Sequence, residues 1–328
     1  MRDDGFFGWL PILIVCAVIA LSSAALHLSG SEEQRKQIAV VVDGSAESRW
    51  VSFQAGLERG AEDQGITLNY VSTGKLRSLA EEKKLAEKEI SEGAAAVILQ
   101  LCESPDSAAS LGSIARKAAL VLVDSGAEAE GSWSCVAADD YALGEALGRE
   151  IRARAEKNAT VGILGGDGRQ RALRQRSEGL RAALEGSGLR VVWESDGESG
   201  SAEDSEEKGS GGTVGARQAA REAAIIAALD NSATERAVEY AQGLENSQPR
   251  LFGIGNSDQN VYALDRGIIE SLIVVNEFNM GYQAIAAAAE QLNGRTGAYR
   301  RSTVEFRVIT RDNMFDKENQ KLLFPLVQ

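Results

Sequence analysis

From Gln37 onward the chain alternates short apolar runs with longer stretches in which apolar residues recur every three or four positions. "IAVVVDG" reads as a strand, and the helix after it carries Trp50, Phe53, Leu57 and Ala61 on one stripe. "ITLNYVS", "AAAVILQL", "ALVLVDSG" and "CVAAD" are the next strands, with helices marked by Leu76, Leu79, Ala86 and Ile90 and across residues 106–118. The series then restarts. Asp140 caps a helix with Leu143, Ala146, Leu147 and Ile151 on its stripe, and "NATVGILGG" opens a second set of strands. That set continues through "RVVWES", "AIIAALDN", "RLFGIGN" and "IIESLIVVN", with helices after each, one of them from about Val214. A helix with Ile285, Ala288, Ala289 and Leu292 precedes a last strand, "STVEFRVIT". Strands apolar throughout, each followed by a helix, predict parallel sheets covered on both faces. The repetition predicts an α/β fold of two doubly wound lobes, and 328 residues suffice for two such cores.

Two segments break this pattern. Phe6 to Leu28 is an uncharged run of 23 residues, and a membrane-crossing helix needs roughly 20. It reads as an N-terminal anchor within residues 1–36, with a cleaved signal as the alternative because Ser23 and Ala25 have the spacing of a cleavage site. A lipid-modified Cys16 is disfavoured by Val15 before it. All three readings place the bulk of the chain on the extracytoplasmic face of a cell membrane. The second segment, residues 196–213, is "DGESGSAEDSEEKGSGGT", which has too little apolar surface to offset its ordering entropy and reads as a disordered surface loop.

A formal net charge of -13 argues against a nucleic-acid partner. Cys102 and Cys135 are the cysteines beyond the anchor, and an exported chain allows them to pair, with two free thiols as the alternative. His27 is the sole histidine and lies in the apolar run, so histidine-based catalysis or metal binding is unavailable to the rest of the chain, and no cofactor or metal is expected. "GILGGDGRQR" imitates a nucleotide loop, but Arg171 stands where the third glycine of the dinucleotide fingerprint belongs, and the P-loop Lys-Ser/Thr pair is missing.

Ligands of open parallel sheets bind beyond the carboxyl ends of the strands. Those ends carry Glu47, Arg49 and Trp50, then Asp124, then Asp139 and Asp140, and in the second half Asp167, Asp230 with Asn231, Asn256, and Asn276 with Glu277. The helix after the glycine loop adds Arg174 and Arg176. Carboxylates, amides, guanidinium groups and an indole together suit a polyhydroxylated ring, hydrogen-bonded at its edge and stacked on its C–H face. Asp140, Asn231 and Glu277 serve equally as helix caps or first-turn acids, and Trp50 equally as core. Asp124 and Arg176 have the weakest structural explanation and are the leading site residues.

The sequence resembles the type I periplasmic sugar-binding proteins, of the ribose and galactose kind related to LacI-family effector domains. The resemblance rests on "IAVVVDGSAESRWVSFQAGLERGAEDQG", "VLVDS", "VAADDYALGEALG", "GILGG" with "RQRSEGLRAAL", "IIAALDNSATERA" and "FGIGNSDQNVYALDRGIIESLIVVNEFNMGY" in that order. It implies lobes of residues 37–138 plus 277–303 and 139–276 plus 304–328, joined by a three-strand hinge with crossings near Asp139, Asn276 and Val308. It also implies ligand contacts from Glu47, Arg49, Trp50, Asp124, Asp139, Arg176, Asp230, Asn256 and Asn276. Asn256 stands where an acidic residue is usual in the family, and Arg49 where an aromatic is usual. The implied function is binding of a small polar solute, a monosaccharide first and an anionic sugar acid second, for delivery to an ABC permease. A sensing subunit feeding a membrane histidine kinase is the alternative, and an enzyme on the same fold is the rival from another class.

Overall fold

The computed structural model describes residues 36–165, 168–195, 223–244, 248–294 and 299–324. The expected anchor at residues 6–28, the loop 196–213 and the helix from about Val214 lie outside the described residues, among which no helix is long and apolar enough to cross a membrane.

The first series runs β1 (Gln37–Val41), α1 (Val51–Gln64), β2 (Thr67–Tyr70), α2 (Leu79–Ser91), β3 (Ala96–Leu99), α3 (Ala108–Ala115), β4 (Ala119–Val123) and β5 (Ser134–Ala138). The second runs α4 (Asp140–Arg154), β6 (Thr160–Leu164), α5 (Arg171–Leu184), β7 (Arg190–Ser195), β8 (Ile225–Ala228), α6 (Asn231–Gln242), β9 (Arg250–Ile254), α7 (Asp258–Asp265) and β10 (Ile269–Val275). The chain then returns through α8 (Glu277–Leu292), β11 (Arg301–Val304), β12 (Phe306–Ile309) and α9 (Lys317–Leu323). Two six-stranded sheets result, ordered β11-β5-β4-β3-β1-β2 and β12-β10-β9-β8-β6-β7. The order is the same in both, and each reverses beside its first strand, which places a switch point between β1 and β3 and another between β6 and β8.

Alternation along the strands fills a core on each face. In lobe 1, Val40, Ile98, Val121 and Val123 meet Phe53 and Leu57 of α1 and Ile285 and Ala288 of α8. Val41, Val97, Leu99, Leu120 and Leu122 point the other way, onto Ala86 of α2 and Leu111 and Ile114 of α3. In lobe 2, Val161, Ile163, Ile225 and Phe252 meet Leu143 and Leu147 of α4 and Leu180 of α5, while Ile226, Leu251 and Leu272 meet Ala237 of α6 and Leu264 of α7.

One helix pair in each lobe packs unusually close, for the same reason. A Cβ on Gly56 of α1 would lie 1.9 Å from the Phe278 carbonyl oxygen of α8, and one on Gly144 of α4 would lie 1.9 Å from the Arg176 carbonyl oxygen of α5. Only glycine lets these backbones touch. The α4–α5 contact fixes where Arg176 sits relative to Asp140, one turn before Gly144.

The strand read as "STVEFRVIT" is in fact two. Residues 301–304 pair in parallel with β5, residues 306–309 pair antiparallel with β10, and Glu305 crosses between the sheets, three residues before the expected Val308. The other crossings fall at Asp139 and Asn276, and Asn276 N–H donates to the Glu305 carbonyl at 2.9 Å, tying two of the three together.

The Cys102–Cys135 disulfide is not formed, and both thiols are free, the other reading that the sequence allowed. Leu99 is aligned with Leu122 and Leu122 with Cys135, so Cys135 sits two strands from β3, and Cys102 lies three residues further along. Two strand spacings are about 9.5 Å, beyond the roughly 7 Å that a disulfide can bridge.

Candidate functional site

The carboxyl ends of both sheets face one another across a cavity of about 140 Å³. A water needs roughly 10–15 Å³ of such space, so the cavity has room for on the order of ten waters, the scale of one small solute rather than a polymer. Lobe 1 contributes Asp43, Arg49, Gln100 and Asp124 to its wall, and lobe 2 contributes Arg176, Asp230, Asn231, Arg236 and Asn256.

Asp124 is the centre of this wall. It follows β4 in a left-handed conformation, φ 62°, which Asp tolerates better than most residues. Its Oδ2 accepts from Gln100 Nε2 at 2.7 Å, its Oδ1 faces Arg176 Nη2 at 3.4 Å, and Arg49 Nη1 stands 3.9 Å from Oδ2. Gln100, itself buried, accepts from Asp43 N–H with its other end at 3.1 Å, which fixes the orientation of its amide. Arg176 crosses from lobe 2 to reach Asp124. Its Nε donates to Asp140 Oδ1 at 2.9 Å and its Nη1 to the Leu229 carbonyl at 3.1 Å. Burial opposes the Arg176 charge, but Asp140 and Asp124 outweigh it and its pKa is raised. Burial likewise pushes the Asp140 carboxyl up to about 6, against the pull of Arg176, so the pair is ionised at neutral pH.

Arg49 lies over the Trp50 ring, 4.1 Å from its centroid, and donates from Nε to Glu47 Oε2 at 2.8 Å. Trp50 is 2% exposed, packs against Phe53 at 5.3 Å between ring centroids, and donates Nε1–H to the Asp43 carbonyl at 2.9 Å. It is therefore core and a platform for Arg49, one of the two roles that its place on the helix stripe allowed, and not a stacking wall. No aromatic side chain lines the cavity among the described residues.

Three further expectations are corrected. Glu47 is exposed and pairs with Arg49 outside the cavity wall. Asp139 is an exposed N-cap, accepting from Ala142 N–H at 3.0 Å, and its neighbour Asp140 is the residue turned inward. Asn276 is also an N-cap, accepting from Asn279 N–H at 3.0 Å, while the next residue, Glu277, lines the cavity. At each helix start the first polar residue caps and the second turns inward, Glu277 into the cavity wall and Asp140 onto Arg176 behind it. Asp230 does both, capping α6 through Ala233 N–H at 2.7 Å while remaining in the wall. Asp167 lies outside the described residues.

Asn256 lies in the wall. Its N–H donates to Asn231 Oδ1 at 2.9 Å and its Nδ2 to Glu277 Oε2 at 3.2 Å, while its Oδ1 is buried with no partner among the described residues. Burial pushes the Glu277 carboxyl up to about 8, with Arg49 and the Asn256 amide pulling it down, so it is largely protonated at neutral pH. The wall residues Asp43, Lys75, Gln100, Arg169 and Arg236 were not singled out by sequence. For Asp43 and Gln100 a signal existed, a polar residue closing an otherwise apolar strand. Arg236, in the second turn of α6, carried none.

The segment before α5 closes one rim of the cleft. Arg169 Nη1 donates to Glu103 Oε1 at 2.9 Å and to the Arg77 carbonyl at 3.0 Å, and Gln170 Nε2 donates to the Leu101 carbonyl at 3.2 Å. Arg171 N–H donates to Ser104 Oγ at 3.0 Å and Ser104 N–H to the Arg169 carbonyl at 2.9 Å. The imitation nucleotide loop is thus a clasp between lobes, and Arg176 one turn later enters the cleft.

A sequence model described as a periplasmic binding protein domain matches residues 38–296. None of the curated proteins matches the chain. Among solved structures it is similar to a carbohydrate transporter solute binding protein from Agrobacterium radiobacter in complex with D-arabinose, at 18% identity and TM-score 0.75, over 88% of this chain and 99% of that one. It is also similar to GanP, a glucose-galactose binding protein from Geobacillus stearothermophilus, at 19% identity and TM-score 0.71, over 86% of this chain and 99% of that one. A third similar structure is the XylFII–LytSN complex, at 18% identity and TM-score 0.70, over 85% of this chain and 98% of that one. The match to the sequence model covers well over half of the chain, which belongs to the periplasmic binding protein domain family.

Proposed function

We propose that the chain is an extracytoplasmic solute-binding protein that closes its two lobes on one small polar solute of the sugar class and presents it to an ABC permease. The observation that carries this reading is the bridge from Asp124 in lobe 1 to Arg176 and Asp140 in lobe 2, set in a cavity sized for a single small solute. Carboxylate, guanidinium and amide groups from the two lobes meet at 2.7–3.4 Å from one another beside one cavity, a hydrogen-bonding set suited to a polyhydroxylated solute. A solute touching both walls favours the closed form by its differential affinity, and the three crossings are where the backbone would bend. The similarity to sugar-bound solute-binding proteins supports the sugar class. Residues 6–28 would tether the lobes to the membrane.

A sensing role is the second reading, favoured by one observation: a similar structure is a complex with a second named chain, LytSN. A fold of this kind can therefore present its state to a protein partner, here a membrane histidine kinase.

The test is a thermal-shift screen of the full chain in detergent against pentoses, hexoses, sugar acids, polyols and amino acids. A true solute at a hundred times its Kd stabilises the protein by about 2.7 kcal/mol. A panel in which amino acids shift the melting point and no sugar-like compound does would overturn the sugar reading.

A further inference from the structure

Most ionic groups of the cavity wall are already answered. Asp124 is held by Gln100 and Arg176, Arg176 by Asp140, Arg49 by Glu47, Arg169 by Glu103, and Glu277 by Asn256. Asp43 Oδ1 accepts from Leu76 N–H at 2.5 Å and Asp230 caps its helix. Arg236 is different. Its Nε is buried and has no hydrogen-bond partner, and no carboxylate among the described residues pairs with its guanidinium. Asn256, in the same wall, has its Oδ1 buried without a donor among the described residues. Both lie in lobe 2, Arg236 on α6 and Asn256 after β9, and Asn231 at the start of α6 joins them through its bond from Asn256 N–H.

A buried donor or acceptor left unmade is costly, and a group that completes it gains what a solvent-facing contact does not. An uncompensated guanidinium calls for a planar anion that can take two of its N–H groups side by side, and a lone acceptor calls for a hydroxyl. No aromatic ring competes for an apolar sugar face among the described wall residues. We infer that the solute is an acidic sugar, a hydroxylated carboxylate of monosaccharide size whose carboxylate is taken by Arg236 and one of whose hydroxyls donates to Asn256. A carboxylate is favoured over a phosphate because one free guanidinium balances one charge, whereas a phosphate monoester brings nearly two with three strong acceptors. This inference rests on the solute-binding reading above.

The test uses matched pairs on the full chain: glucose with glucuronate and gluconate, galactose with galacturonate, arabinose with arabinonate, and glucose 6-phosphate as the phosphate arm. Each is titrated calorimetrically into the wild type and into Arg236→Gln, with Arg236→Lys to keep the charge without the fork. At least one acid is expected to bind about ten- to a hundredfold more tightly than its neutral partner, the range for hydrogen bonds to a charged group. Arg236→Gln should weaken the acid far more than its neutral partner, so that the preference is lost, and Arg236→Lys should restore it in part. A neutral sugar that outbinds its acid, or an Arg236→Gln variant that weakens both equally, overturns the acidic-sugar inference and leaves the solute-binding function standing. Tighter binding of the phosphate than of every carboxylate overturns it too. Binding of none of these compounds, with an amino acid binding instead, defeats both the inference and the sugar reading beneath it.

Discussion

Arg49 of lobe 1 and Arg176 of lobe 2 approach the same carboxylate from opposite walls, under different conditions. The Arg49 side chain keeps 17% of its surface exposed, stands 3.9 Å from Asp124 and leans on Glu47 and the Trp50 ring. The Arg176 side chain keeps 8%, and its three bonded positions are taken by Asp140, Leu229 and Asp124. The first is an adjustable surface pair, and the second is a desolvated one whose partners would be stranded without it. The difference teaches that lobe 2 builds its side of the site as part of its own core, while lobe 1 presents groups that can shift as the cleft opens and closes.

Removing the two arginines breaks this comparison most sharply. Arg176→Ala leaves the buried Asp140 uncompensated and should cost about 3–5 kcal/mol of stability, whereas Arg49→Ala, a partly exposed pair, should cost no more than about 1 kcal/mol. Denaturant unfolding of both variants decides it, and equal losses would show that the two sites are equally buried in effect.

The glycine contacts sharpen it next. Gly144→Ala forces α4 off α5 at the turn that seats Arg176, and Gly56→Ala forces α1 off α8. Overpacking of this kind costs typically about 1–3 kcal/mol. The losses should be similar, but Gly144→Ala alone should also weaken solute binding, because it moves Arg176 against Asp140. Stability and affinity measured on the same two variants test this.

A smaller effect comes from pH, which acts on both lobes through carboxyls that burial raises, Glu82 and Glu277 in lobe 1 and Asp140 in lobe 2. In lobe 1, Glu82 is fully buried, accepts from Cys102 N–H at 2.6 Å, and leaves Oε2 without a partner. Burial pushes its carboxyl up to about 8, with Asp43 and Glu103 adding to the rise against the Cys102 bonds. Unfolded chains lose this proton near the ordinary glutamate value of about 4.3, so the folded state holds it longer, and stability should fall as pH rises from about 4.5 to 8 and level off above. Glu277 acts in the same direction. Glu82→Gln should flatten part of that slope in melting curves taken at pH 5 and pH 8, and an unchanged slope would show that Glu82 ionises normally.

The sequence carried the architecture because most strands were apolar throughout and the helices had a stripe, so two doubly wound lobes followed from the alternation, while the strand order shared by the two sheets did not. It carried Asp124 and Arg176 because a charge beside an apolar strand end needs a partner. It could not separate Asp139 from Asp140, or Asn276 from Glu277, since either member of an adjacent polar pair can cap a helix and only the backbone angle at the strand end decides which turns inward. Trp50 was ambiguous for the same kind of reason: its stripe position fitted both core and cleft. Arg236 was invisible, because an arginine on a helix is ordinarily a solvated one, and its significance comes from partners it lacks in space. The break at Glu305 was hidden within a continuous strand pattern, as both halves are extended and only their pairing differs.

Asp124 is the cleanest probe of the site, since it faces groups from both lobes while remaining partly exposed. Calorimetric titration of the full chain with the solute giving the largest thermal shift, on the wild type and on Asp124→Asn, tests cleft binding most directly. Asparagine tolerates the left-handed backbone at this position, removes the charge, and replaces one of two accepting oxygens with a donor that faces Gln100 or Arg176. Loss of a charge-assisted bond predicts binding weaker by about tenfold or more, with a lower unliganded melting point because Arg176 and Gln100 lose an acceptor. Equal affinity for both proteins would place the solute outside the Asp124–Arg176 cleft and contradict the proposed site.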